Sequence, residues 1–178
     1  MKNTLVTIIL CGIVLFFWGF LSWAVIPWHS SSANKLTDES EVAQVLKQNA
    51  PASGIYFLPF AEEDVRKGET TAFLNIIPNG YHGSMGSMMT TGMVGQMLSA
   101  FLVLTLLQKT SLTGYWEKVR FVSWVGFIIG FVGHFSYWNW FEFSSAYVVV
   151  IILDSLIAWT LAGLVMAKFA VTQNRDSQ

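Results

Sequence analysis

Asp154 and His134 are the side chains best suited by type and position to do chemistry. Both fall inside long apolar runs, where an ionisable group is costly unless it is paired, protonated or facing a polar cavity. Counted from the predicted outer helix ends at 1.5 Å per residue, His134 lies about 10 Å deep and Asp154 about 15 Å deep. A histidine and a carboxylate at similar depth on neighbouring helices can transfer a proton, the acid orienting the base. His134 and Asp154 are therefore the expected catalytic pair. Spacing supports a hydrogen bond that merely specifies helix packing about as well.

Other donors collect toward the same side. His29 follows the first apolar run, His82 precedes the second and Glu142 closes the third. With His134 and Asp154 they form a set chemically suited to zinc, iron or manganese. They come from separate parts of the chain, and no compact signature such as HExxH accompanies them. His134 would suit one axial position of a two-histidine haem. Met85, Met89, Met93 and Met97 recur every four residues with Met88 beside them, a thioether stripe that fits copper(I) or, more simply, packing. The pattern singles out none of zinc, iron, copper or haem, and no resident cofactor is expected. Cys11 is the only cysteine, which excludes an intrachain disulfide and a thiolate metal cluster.

These residues need helices to position them. The 178 residues are 53% hydrophobic and 12% charged, about half the charge of a soluble domain. The apolar residues fall into four runs long enough to cross about 30 Å of hydrocarbon. The expected fold is an all-α integral membrane protein, a four-helix transmembrane bundle. Helix one occupies 1–26, helix two 84–107, helix three 121–141 and helix four 142–169. A loop at 108–120 and a tail at 170–178 complete it. Only Glu142 interrupts the apolar sequence between helices three and four, so these two are expected to be antiparallel neighbours.

Residues 27–83 are too long for a plain connector. Thr37 or Asp38 can cap a short helix with acids in its first turn. Ile55 to Leu58 and Phe73 to Ile77 read as strands, with a further helical turn between them ending at Gly68. Pro78-Asn79-Gly80 reads as a turn. The segment is expected to be a small α+β cap. Lys109, Lys118, Arg120 and Lys168 mark the cytoplasmic side, while the 27–83 segment is rich in acids. Both termini are therefore expected in the cytoplasm and the cap outside it, a multi-pass protein of the inner membrane if the source is bacterial.

Gly83, Ser87, Thr91, Gly95 and Ser99 recur every four residues along helix two, and Gly126 and Gly130 repeat the spacing on helix three. Small residues let helices approach closely where no hydrophobic effect drives them together. These positions are the expected packing seams, within one chain or between copies. With many membrane aromatics, they point to a non-catalytic subunit or scaffold, with a homo-oligomer or another membrane protein as partner. The alternative is a small membrane enzyme acting on a lipid-like or amphiphilic substrate at the outer leaflet, with His134 and Asp154 in its site. A further alternative is an ion, proton or small-solute conductor using Asp154. A net charge of −1 without a basic block excludes nucleic acid as a partner. No Walker motif, dinucleotide fingerprint, Gly-x-Ser-x-Gly elbow or Cys-x-x-Cys appears.

Overall fold

The computed structural model describes residues 2–61, 68–81 and 83–170. His82, the helical turn expected to end at Gly68 (apart from Gly68 itself) and the 171–178 tail lie outside the described residues. The chain divides into two units, Met1–Asn34 with Met85–Gln178, and Lys35–Ser84.

The first unit is a bundle of four helices, each long and apolar enough to cross a membrane. Helix α1 (Lys2–Phe20) continues into a π-helical turn (Leu21–Val25), and a short helix α2 (Trp28–Ser31) follows Pro27. Helices α4 (Met85–Gln108), α5 (Tyr115–Phe141) and α6 (Ser145–Phe169) complete it. Helix α5 begins six residues before the expected 121. The Glu117 carboxylate reaches back to accept from the Gly114 amide at 3.0 Å, a cap that draws the charged residues of the expected loop into the helix. Lys118 is thereby buried, and its ammonium donates to the Ala170 carbonyl at the end of α6 at 2.9 Å. That cation satisfies an orphan carbonyl at a helix C-terminus.

Helices α5 and α6 are joined by a tight turn in which Glu142 takes φ of 51°. They pack along much of their length because glycines remove bulk. A Cβ on Gly126 would collide with Trp159, and one on Gly130 would lie 3.0 Å from the Ile152 Cα. The Ser155 hydroxyl donates to the Gly126 carbonyl at 2.8 Å across the same seam. Helix α1 packs on both α4 and α6. Its contact with α4 closes at Gly12, where a Cβ would stand 2.6 Å from the Met97 Cγ.

The core gathers Cys11 and Leu15 with Ala100, Leu104 and Leu107, and with Val122, Trp159, Ala162 and Met166. These residues belong to the half of the bundle nearer the α4–α5 connection. In that half Ala100, Val103, Leu104 and Leu107 turn inward, whereas Ser87, Thr91 and Gly95 are exposed. The expected helix-two stripe thus stands away from the α1 contact. A spacing of four drifts about 40° per step on a helix of 3.6 residues per turn, so the buried positions centre about half a turn away from the stripe.

The second unit contains helix α3 (Glu39–Asn49) and an antiparallel pair, β1 (Gly54–Leu58) with β2 (Ala72–Ile76). The Asp38 side chain caps α3 by accepting from the Glu41 amide at 2.9 Å. Phe57 and Phe73 face each other in register with ring centroids 5.1 Å apart. Gly80, at φ of 74°, closes the expected turn by donating to the Ile77 carbonyl at 3.0 Å.

Candidate functional site

Thr7, Cys11 and Leu15 are buried on one face of α1 with Trp18 half-buried beside them, and Ser22 in the π-helical turn is buried in line with them. Their spacings of three and four place them in one stripe along the helix. The apolar part of the stripe meets the α6 backbone, where the Cys11 thiol lies 3.6 Å from the Ala162 carbonyl. Two turns toward the α5–α6 connection the partner on α6 is Asp154, and the stripe becomes polar.

Asp154 accepts twice at the same oxygen, from α1 and from the π-helical turn that continues it. The Trp18 indole N–H donates to Oδ1 at 2.6 Å and the Ser22 hydroxyl donates to it at 2.7 Å. The other oxygen, Oδ2, faces His29 Nε2 at 3.5 Å. His29 comes from α2, which Pro27 folds back against the π-helical turn. The π geometry is set by the Ile26 amide donating five residues back to Leu21 at 3.0 Å. Trp28 then donates its indole N–H to both the carbonyl and the hydroxyl oxygen of Ser22, at 3.1 and 3.0 Å. Such π turns recur inside helices at functional sites.

Counting donors and acceptors assigns the proton positions. Ser22 has one hydroxyl proton and gives it to Asp154. Its oxygen must accept from Trp28 and from His29 Nε2, which is 3.0 Å away. His29 therefore carries its hydrogen on Nε2 when neutral. Its Nδ1 is left as a bare lone pair, and that atom is buried without a partner among the described residues. The imidazole is only 5% exposed. The Trp23 ring stacks on it face to face at 3.8 Å and Trp28 meets it edge-on. Ser22, with its proton and both lone pairs engaged, is a spacer between acid and base and not a nucleophile.

The residues expected from sequence separate here. Asp154 and His29 come together. His134 is directed elsewhere: its Nδ1 lies 3.0 Å from the Gly130 carbonyl of its own helix, and among the described residues no hydrogen bond or ion pair joins it to Asp154. Glu142 caps the end of α5. Among the described residues no three His, Cys, Asp or Glu side chains gather into a group able to hold a metal ion. Trp18, Ser22 and Trp28 are cluster members that residue type alone did not reveal. The available signal was a Trp and a Ser four residues apart on the first helix, followed by a Pro-Trp-His corner.

A groove of about 350 Å³ adjoins the cluster, lined by Ile13, Val14, Phe17, Trp18, Leu21 and Leu161. Compared with protein-family models, curated proteins and solved structures, the chain matches none.

The scaffold expectation does not survive this geometry. Helix association by small residues needs no buried acid, base and set of oriented donors. Each polar group placed at membrane depth is expensive. The cluster instead has the parts of an acid–base centre: a carboxylate held by fixed donors, an imidazole paired to it, and an unengaged ring nitrogen.

Proposed function

We propose that the protein is a small multi-pass membrane enzyme that performs general acid–base chemistry on the polar head of a lipid-like or amphiphilic substrate. The observation that carries this reading is the buried His29–Asp154 pair with its free Nδ1 lone pair. In the proposed cycle a substrate hydroxyl or a water must reach His29 Nδ1, which is buried in the resting fold, and give it a proton. The resulting imidazolium is stabilised by Asp154 and by the face of Trp23. The proton returns to the departing oxygen, which restores the neutral ring. Asp154 orients the imidazole: its Oδ1 accepts from Trp18 and Ser22 while its Oδ2 faces the ring's Nε2.

A conducting role has less support. The layer between the cluster and the α4–α5 connection is occupied by Leu15, Leu104 and Ala162, which offer no relay for a proton. In the enzyme reading the α4–α5 connection and both termini are cytoplasmic, supported by the basic residues there. The Lys35–Ser84 unit and the His29 end of α1 then belong to the outer side. The exposed Ser87, Thr91 and Gly95 face of α4 suits association with a second copy or another membrane protein, and such assembly is compatible with catalysis within one chain.

The test is conversion of native membrane lipids by the purified protein in nanodiscs, followed by mass spectrometry. Wild type should consume one lipid class. His29→Gln and Asp154→Asn should each slow that conversion at least about 100-fold while the bundle remains folded. If no species changes in a His29-dependent way, the catalytic reading fails.

A further inference from the structure

We infer that the groove beside Trp18 is the tail subsite of this centre and takes a single alkyl chain of a one-chain amphiphile. The inference rests on the catalytic reading above for the head group. It rests on the groove itself for the tail.

Continuity comes first. Trp18 lines the groove and donates its indole N–H to Asp154, so one side chain joins the apolar channel to the acid. In this reading a chain in the groove lies against the same Trp18 side chain that binds the acid, with its head at the cluster end. The walls come second. Apart from the Trp18 N–H, which Asp154 occupies, the lining side chains from α1 and α6 carry no hydrogen-bonding group. A sugar or peptide would lose its water there without replacement, whereas an alkyl chain loses nothing.

Size and direction narrow the occupant. A volume near 350 Å³ lies at the lower end of the range for small-molecule pockets. That space suits one chain and not a pair. Leu21 and Ile13 are eight residues apart, about 12 Å along the helix at 1.5 Å per residue, which is the reach of a medium-length extended chain. The groove runs from the cluster toward the middle of the bundle. A tail lying in it has the orientation a lipid already has in the leaflet at the His29 end. Phe17 and Ile13 are exposed, so the tail can enter sideways from the bilayer without the bundle opening.

The experiment uses the full chain in nanodiscs and a series of saturated fatty acids of increasing length, each bearing a terminal diazirine. Labelled residues are mapped by mass spectrometry. Saturable labelling at Ile13, Val14 or Phe17 is expected. Labelling per mole of fatty acid in the disc should rise with chain length and then level off once the groove is full. Unlabelled lysophospholipid of matching chain length should compete as a free fatty acid does if the chain is the recognised part. If neither competes, the inference is overturned. Labelling that rises without saturation and falls equally on Leu98 and Val132 also overturns it.

Two substitutions fill the groove from different helices, Val14→Trp and Leu161→Phe. Each should cut labelling at the remaining groove residues at least tenfold. The ¹⁵N signals of His29 should not move, which shows that the cluster is intact. Wild-type labelling in both variants contradicts the inference. The two readings fail separately. A saturable groove without His29-dependent turnover removes the enzyme and keeps the tail site. Turnover that ignores chain length and both filling substitutions removes the tail site and keeps the enzyme.

Discussion

Asp154 accepts from Trp18 and Ser22 at one oxygen and faces His29 Nε2 with the other, and the proposed chemistry depends on that arrangement. A carboxylate can accept from all three. An amide cannot, because it has one oxygen. In Asp154→Asn the amide oxygen keeps Trp18 and Ser22, so its NH₂ group faces the N–H of His29. Two donors in opposition are relieved by moving the imidazole hydrogen to Nδ1. The ¹⁵N shifts of His29 should therefore report the opposite tautomer in this variant, and an unchanged tautomer would contradict the proton assignment given above. Asp154→Ala removes the acceptor altogether. Trp18 and Ser22 lose their acceptor and His29 loses its carboxylate while keeping Ser22, and the bundle should be destabilised by about 3 kcal/mol, read from unfolding in a mild detergent.

At the scale of elements, close approach and capping decide what is tolerated. Gly126 lies where α5 meets Trp159 and the Ser155 carbonyl. A valine there must push backbone apart, so Gly126→Val should cost about 1–3 kcal/mol. The same change at Gly95, which has nothing within 4 Å of an added Cβ, should cost little within one chain. Comparing the two unfolding midpoints in detergent tests the seam directly. In α3 the Glu41 amide and then the Ser40 hydroxyl hold the Asp38 carboxyl below the usual carboxylate range. The folded carboxyl thus resists protonation more than the unfolded one does. Its support of α3 is complete above the ordinary carboxylate value and is lost as pH falls through the depressed folded value. The Glu41 amide should lose hydrogen-exchange protection in that acid window, and in Asp38→Ala it should be less protected at neutral pH as well.

At the scale of the whole molecule the bundle is unequal along its length. Its apolar core fills the half near the α4–α5 connection, and the polar cluster sits in the other half on the α1–α6 seam. In the proposed enzyme the polar half is the one that meets substrate, within one leaflet. The sidedness this implies is testable with introduced cysteines once Cys11 is replaced by serine. An impermeant maleimide applied to intact cells should label Ser53→Cys and spare Thr113→Cys. The reverse pattern would invert the proposed orientation.

The four long helices and the tight α5–α6 turn were legible in the sequence because they depend on local composition. A run of apolar residues must find an apolar solvent or core, and hydrogen bonds within a helix satisfy its backbone wherever it lies. Asp154 was legible as exceptional for the same reason, since a charge in such a run requires compensation. Its partner was not. His134 and His29 are both histidines near the right depth, and choosing between them depends on which face each helix turns toward α6. That choice arises from contacts distant in sequence, Cys11 against Ala162 and Gly126 and Gly130 against α6, together with a π-helical turn that lets Pro27 fold His29 back beside Ser22. Composition and periodicity specify that a helix forms and which residues lie on one stripe. Only the tertiary structure decides which stripe meets which, because that is settled by packing among all four helices at once.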